Sequence, residues 1–312
     1  MKGYVLIVKV NLMTWNTRLY EYGNIDNKTE EDGKRKYDAD IKKCISKHLE
    51  DTAEDTLPIV VLQEIPYKIK AENGWRLHDI YNQLIHDFKE YDIVYLKEDE
   101  KKKYWHIKMT VIIAPTNTIL ECENKTNIFV PFKIKNNNAE VYVLGLHSHN
   151  ADEVKKWLGN HQDFNPDIII GDFNAGDYEK TNESKAFKNN RENYRKLLES
   201  GYVDICEGKN TRKIVLDNGV EYKTPIDHIL VKDGLNFKNE FCSVDDNNNL
   251  SDHYPIYYSF EIEHCEKYLD AEEYPIDKEQ YPYAYECTKC GRVVKNEEMH
   301  ATPDMCDECS NR

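Results

Sequence analysis

The sequence predicts an α/β chain: a layered sandwich of mixed β-sheets with helices outside, followed by a small cysteine-bearing module. Three observations carry this expectation. Apolar runs alternate with amphipathic helical stretches early in the chain, strands then dominate in pairs, and the chain ends in two Cys-x-x-Cys turns. With 312 residues, 40% of them hydrophobic, there is room for one large core plus something small.

Taken in order, residues 4–14 read as a core strand ending at Trp15-Asn16. Lys9 and Asn11 interrupt the run and no small-residue cleavage site follows it, so it is expected to be neither a signal peptide nor a membrane span. Residues 31–54 put Ile41, Ile45, His48 and Leu49 on one helical face. Ile59-Val60-Val61-Leu62 is a buried strand running into Gln63-Glu64. Helical spacing returns at Leu77, Ile80, Tyr81, Leu84, Ile85 and Phe88. Aromatic and β-branched segments near 91–96, 107–114, 127–135 and 140–146 read as strands, and 152–160 as a short helix. A strand at 167–170, a long polar loop, a helix near 187–200 and strands near 226–231, 236–243 and 255–262 complete the large domain.

Net charge is −15, so bulk attraction does not hold a nucleic acid here. A phosphate-bearing substrate must instead meet local cations or a metal. The nine cysteines are odd in number; Cys44, Cys122, Cys206, Cys242 and Cys265 are scattered singly, which fits a reducing, cytoplasmic setting.

The chain is organised around Gly171-Asp172-Phe173-Asn174, which follows the apolar run Ile168-Ile169-Ile170. Asp172 and Asn174 stand two positions apart, so an extended backbone sends both to one side. Polar residues flank other apolar runs as well: Asn16, Glu64 and His147 follow theirs, Asp227-His228 leads into Ile229-Leu230-Val231, and Asp252-His253 precedes the final strand. Each alone is explained by a turn, a cap or a satisfied buried histidine. Their repeated position at strand ends points to a shared site.

Their chemistry is coherent. Glu64, Asp252 and Asn16 offer hard oxygen ligands suited to Mg²⁺ or Mn²⁺. Such a cation neutralises a phosphate and stabilises charge on the leaving oxygen. The histidines can donate to non-bridging oxygens or take a proton from water, and Asp227 can orient one of them. Asp172 and Asn174 can hold the attacking water and a phosphoryl oxygen. No Ser or Cys nucleophile arrangement accompanies them, so direct attack by water is the economical route.

Over residues 4–262 the chain resembles the endonuclease/exonuclease/phosphatase superfamily, and within it the deoxyribonuclease I branch. The likeness rests on Thr14-Trp15-Asn16-Thr17, Leu62-Gln63-Glu64, His147, Gly171-Asp172-Phe173-Asn174-Ala175, Ile226-Asp227-His228-Ile229-Leu230 and Ser251-Asp252-His253-Tyr254-Pro255. It implies a four-layered α/β-sandwich and hydrolysis of a phosphodiester, with DNA cleavage as the leading expectation. RNA, a nucleotide or a lipid or inositol phosphate is the alternative substrate, and a non-catalytic binding module the third reading. It implies Glu64 as main metal ligand with Asn16 and Asp252 beside it. It further implies His147 and His253 as an acid/base pair, Asp227 backing His253, and Asp172 and Asn174 on phosphate and water. Whether Asp172 or His253 is the base stays open. Two features depart from the branch. Ile65-Pro66-Tyr67 stands where a groove-reading arginine is expected, and the carboxylate that backs the first histidine falls near Glu98 or Asp99. Lys185, Lys188, Arg191, Arg195 and Lys196 form a cationic helical run, a candidate substrate contact if not simply a solvated face.

The expected domain organisation is a catalytic domain over 1–263, an acidic tyrosine- and proline-rich linker over 264–286, and a zinc ribbon over 287–312. The linker holds seven acidic residues against two lysines. In the ribbon, Cys287 and Cys290 are separated from Cys306 and Cys309 by 15 residues. Four thiolates in two such turns suit tetrahedral Zn²⁺ in a closed, structural site. A module this small does not fold without its metal. The ribbon is a candidate contact for a protein partner. No membrane association is expected.

Overall fold

The computed structural model describes residues 5–22, 29–50, 53, 55–72, 74–95, 108–136, 139–176, 185–215, 218–235, 237–265, 285–286 and 293–294. The chain divides into two compact units, one of Val8–Ile262 and one of Met1–Ile7 with Glu263–Arg312.

In chain order the strands of the first unit and its borders are β1 (Val5–Asn16), β2 (Thr56–Pro66), β3 (Lys68–Ala71), β4 (Gly74–Leu77), β5 (Tyr91–Val94), β6 (Lys108–Pro115), β7 (Ile119–Glu121), β8 (Phe129–Asn136), β9 (Ala139–His147), β10 (Ile168–Asp172), β11 (Tyr202–Asp204), β12 (Arg212–Val215), β13 (Glu221–Thr224), β14 (Asp227–Lys232), β15 (Lys238–Val244) and β16 (Ile256–Cys265). The helices are α1 (Glu30–Lys36), α2 (Lys42–Glu50), α3 (Asp79–Asp87), α4 (Ala151–Asn160) and α5 (Lys185–Leu198).

Two six-stranded sheets form the centre, in the orders β15-β16-β1-β2-β6-β5 and β11-β14-β10-β9-β8-β7. Both mix parallel and antiparallel pairs: β1 with β2 and β9 with β10 are parallel, while β14 runs antiparallel to β10. Helices cover the outer faces. Ile41, Ile45, Leu49, Ile80 and Leu84 pack on Met13, Trp15, Val60 and Leu62 of the first sheet. Val154, Trp157, Tyr194 and Leu197 pack on Leu144, Leu146, Ile169 and Leu230 of the second. The inner faces meet each other. At Gly145 an added Cβ would lie 2.8 Å from Ile112 Cδ1 and 3.1 Å from Val61 Cγ1, both in the opposite sheet. The result is the expected four-layered α/β-sandwich, helix–sheet–sheet–helix.

Strand periodicity sorts residues between the layers. Met13 and Trp15 of β1 belong to the helix-facing core, so Asn16 takes the alternate, inner face with Leu12 and Thr14. The same parity puts Asp172 with Ile168 and Ile170, because Ile169 faces the helices. It puts His147 with Gly145 and Val143, and Asp227 with Ile229. The polar strand ends therefore extend the core between the sheets.

Several boundaries differ from expectation. The helix expected over 31–54 stops at Glu50 and is interrupted by a π-turn at Tyr37–Ile41, where Tyr37 is fully buried and its hydroxyl donates to Asp87 Oδ2 at 3.1 Å. Leu77 closes the β3–β4 hairpin instead of starting a helix; α3 begins after His78, whose Nδ1 accepts from the Ile80 N–H. The β3–β4 and β12–β13 hairpins and the short strands β7 and β11 had no counterpart in the sequence reading.

In the second unit, Tyr285–Glu286 pairs antiparallel with Val293–Val294, with Glu286 opposite Val293. This two-stranded pairing brackets Cys287 and Cys290 in sequence. The four cysteines of the expected zinc ribbon, and residues 266–284 of the expected linker, lie outside the described residues. Among the described residues no helix is long and apolar enough to cross a membrane.

Candidate active site

Each polar strand end is held by a local device. Asn16 ends β1 and is buried; its Nδ2 donates to Asp172 Oδ2 at 2.8 Å and its Oδ1 accepts the Arg18 N–H at 3.0 Å. Glu64 lies in a β-bulge. The β2–β6 register runs Leu62 opposite Val111, then Ile65 opposite Met109, so one extra residue is inserted. Glu64 takes a φ of 56°, a left-handed conformation that an L-residue adopts only when its surroundings enforce it. The bulge turns its carboxylate to the cleft, where Lys108 Nζ donates to Oε1 at 2.6 Å.

The Gly171–Asn174 turn is equally constrained. Gly171 has a φ of 142°, and a Cβ there would sit 2.0 Å from the Leu146 carbonyl oxygen of the neighbouring strand. Only glycine fits. Asp172 Oδ1 accepts the Asn174 N–H at 2.8 Å, closing an Asx turn, and Asn174 holds a φ of 46°. Asn174 Nδ2 donates to the Ser148 carbonyl at 2.9 Å. His147 stands opposite Asp172 in the β9–β10 register, with Nε2 3.7 Å from Asp172 Oδ2 and 3.5 Å from Glu64 Oε1. Its buried Nδ1 has no partner among the described residues, and the Glu98–Asp99 segment expected to back it lies outside them.

Asp227 opens β14 directly opposite Asp172. Its Oδ2 accepts from Thr211 Oγ1 at 2.8 Å, and both its oxygens lie 2.9 Å from His253 Nδ1. A carboxylate there requires Nδ1 to carry the proton, so Nε2 is the nitrogen left to face other groups. His253 is fixed further by Trp15 Nε1, which donates to its carbonyl at 3.1 Å. Asp252 points its Oδ2 at Arg212 Nε (2.9 Å) and at an Arg18 guanidinium nitrogen (3.0 Å), while its buried Oδ1 lies 3.9 Å from His253 Nε2 and has no hydrogen-bond partner among the described residues.

Charge and burial set the protonation states. Burial, reinforced by Lys108 and His253, pushes His147 down to about 3, so it is neutral at physiological pH. Burial opposes a charge on His253 too, but Asp227 and Asp172 outweigh it and raise the group to about 9. Asp172 lies well above the usual carboxylate range, through burial first and then repulsion from Asp227. Burial would raise Asp252; His253, Arg212 and Arg18 hold it low instead.

Glu64, His147, Asp172, Asn174, Asp252 and His253 line one cleft of about 370 Å³, with the cations Arg18, Lys108 and Arg212 at its walls. Asn16 and Asp227 lie one hydrogen bond behind Asp172 and His253. Sequence reasoning did not single out the three cations. Arg18 stood two residues after Asn16, a readable signal. Lys108 and Arg212 arrive from another strand and from an unread hairpin, with no local signal. Arg191, Arg195 and Lys196 stand on α5 and are not among the residues lining the cleft; Lys185 and Lys188 open the same helix.

Among the described residues, Asp172, Asp227 and His253 form a group whose ligand atoms all lie within 4.8 Å of one another. A proton already occupies the His253–Asp227 contact, so this trio reads as a hydrogen-bonded relay. Hard cations prefer all-oxygen donors. Glu64 and Asp252, which line one cleft with Asn16 one hydrogen bond from Asp172, could offer oxygen donors of that kind.

The fold matches solved structures. The endonuclease domain of TRAS1, a telomere-specific non-LTR retrotransposon, superposes with a TM-score of 0.52 at 13% identity, over 80% of this chain and 98% of that one. An endonuclease/exonuclease/phosphatase protein from Bacteroides vulgatus gives 0.52 at 15% identity, over 81% and 98%. At these identities the likeness is one of fold. No family model matches the sequence, and no curated protein does.

Proposed function

We propose that this chain, which has the fold of the endonuclease/exonuclease/phosphatase superfamily, is a divalent-metal-dependent phosphodiesterase that cleaves DNA internally. The observation that carries the reading is the convergence of buried acids, two oppositely tuned histidines and three cations on one cleft. A structural core gains nothing from concentrating such groups, because burying unpaired charge is costly.

The metal reading rests on the donor set. Glu64, Asn16 and Asp252 would hold Mg²⁺ or Mn²⁺, which supplies charge neutralisation at the phosphate and at the leaving oxygen. The chain's own residues do the rest. The Asp172 carboxylate, its proton affinity raised by burial and its position braced by Asn16 and the Asn174 N–H, is suited to take the proton of the attacking water. His253, kept cationic by Asp227, presents Nε2–H to a non-bridging oxygen. His147, kept neutral, offers Nε2 on the same side as Glu64 and Asp172. Arg18, Arg212 and Lys108 hold the substrate's phosphate oxygens by charge-assisted bonds. Asn174, clamped to Ser148, fixes the turn that carries Asp172.

DNA is the substrate class we assign, by an endonucleolytic mode that an open, cation-walled cleft between strand ends supports. The four C-terminal cysteines are assigned to a structural Zn²⁺. The test is a substrate panel: supercoiled plasmid, linear duplex, single strands, RNA, nucleotides and inositol phosphates, each with Mg²⁺ or EDTA. Mg²⁺-dependent nicking of plasmid, fastest of the set, is the expected result. Preference for a small phosphoester would remove the DNA assignment and leave the hydrolase standing.

A further inference from the structure

Folding brings together two cysteines that the sequence keeps 36 positions apart. Cys206 sits in the turn after β11, Cys242 sits on β15, and their Sγ atoms are 3.1 Å apart. β11 is the edge strand of one sheet and β15 the edge strand of the other. The pair therefore spans the two sheets of the sandwich where both are open. A disulfide needs a sulfur–sulfur distance of about 2.05 Å, so the side chains have about 1 Å to close.

The two thiols differ in a way that suits stepwise oxidation. Cys242 is half-buried, and Lys209 Nζ donates to the Cys242 carbonyl at 2.6 Å, which puts an ammonium beside this residue. The hydrogen bond from Cys206 and the Lys209 charge draw the Cys242 thiol below its ordinary value against the effect of burial. Cys206 is buried, and its hydrogen bond to Cys242 together with burial pushes it well up. Cys242 is thus the more exposed residue and the better nucleophile, with the Cys206 sulfur 3.1 Å from its own.

We propose that Cys206 and Cys242 are a reversible dithiol–disulfide pair, oxidised by exchange with a low-molecular-weight disulfide such as oxidised glutathione, that staples the edges of the two sheets together. The Cys242 thiolate attacks one glutathione sulfur, and the glutathione S–S bond breaks as the Cys242–glutathione bond forms. The first glutathione leaves as thiolate and takes a proton from water. Cys206 then gives up its proton and attacks Cys242 Sγ, and the second glutathione leaves with that proton. Two protein thiols lose two electrons, and one glutathione disulfide becomes two thiols. The staple also fixes the turn whose Cys206 N–H donates to Asp204 Oδ1 at 2.9 Å. None of this depends on the hydrolase reading.

The test uses the full-length protein, purified reduced with its metals retained. It is incubated with oxidised glutathione, quenched with iodoacetamide, digested without reductant and mapped by mass spectrometry. The expected product is a peptide pair joined through Cys206 and Cys242, lighter by two hydrogens than the sum of the free peptides. The melting temperature should rise by roughly 5 °C or more and return on adding dithiothreitol. In Cys206→Ser the reaction should stall with glutathione on Cys242; in Cys242→Ser, Cys206 should stay unglutathionylated. Recovery of both cysteines alkylated from the oxidised, folded wild type would overturn the proposal. A cross-link joining either one to another cysteine would do the same.

Discussion

At Glu64 the backbone adopts a φ of 56° in a bulge, and the side chain that results meets Lys108 from the next strand. Asp252 is held by two arginines at one oxygen, while the other lies 3.9 Å from His253 Nε2. His253 is charged because Asp227 sits on Nδ1, and His147 is neutral because burial and Lys108 make a second cation there unfavourable. These couplings make Asp227 the residue whose replacement is most informative. Asp227→Asn keeps the volume and the Thr211 contact but removes the charge that supports the imidazolium. The His253 titration, followed by NMR, should move down from about 9, so the ring loses its charge at a lower pH. kcat should fall on the order of 100-fold or more. An unchanged His253 titration would show that the carboxylate does not set its charge.

The elements explain why these residues meet. Parallel strands β9 and β10 end together, antiparallel β14 starts beside them, and each contributes its inner-face residue. Gly171 is the joint of that arrangement. Gly171→Ala forces a Cβ against the Leu146 carbonyl in a conformation L-residues avoid, and should destabilise the fold on the order of 3 kcal/mol or more in chemical denaturation. A second joint ties β11, α5 and β14. His228 Nδ1 donates to Asp204 Oδ2 at 2.9 Å and Nε2 to the Ala175 carbonyl at 2.7 Å, while Tyr194 donates to the same Asp204 oxygen at 2.6 Å. Both ring nitrogens face acceptors, so the ring is an imidazolium. Burial opposes that charge, and Asp204 outweighs it, raising His228 above 6.5; burial would raise Asp204, and His228 holds it below 3.8 instead. A raised histidine stabilises fully below its ordinary value and loses that contribution as pH climbs through the folded value. A depressed carboxylate contributes above its ordinary value and loses it as pH falls. The cluster therefore contributes most between 3.8 and 6.5. The melting temperature of the wild type should fall above that window more steeply than that of Asp204→Asn. Parallel profiles would mean that the pair does not titrate with folding.

Across the molecule, the four-layer architecture was legible because central strands write themselves as unbroken apolar runs. The candidate site was largely legible because those runs begin or end beside a residue with chemistry. Asn16, His147, Asp172 and Asp227 needed only strand parity to be put on one face. What stayed hidden depends on contacts between elements. The Glu64 bulge is a register shift against β6, invisible in β2 alone. No residue of β12 or β13 is buried, so these strands lack the alternation that announces a strand, and Arg212 went unnoticed with them. Lys108 and Cys242 acquire meaning only from their partners across strands. The net charge of −15 led to the expectation of local cations near any phosphate site, and three cations stand at the cleft.

The most direct test of the central claim is Mg²⁺-dependent cleavage of supercoiled plasmid by the wild type beside His253→Ala, with circular dichroism to show that both are folded. The account predicts nicking by the wild type that EDTA abolishes and that the variant loses by about 1,000-fold. Equal nicking by folded His253→Ala, or nicking that persists in EDTA, would contradict it.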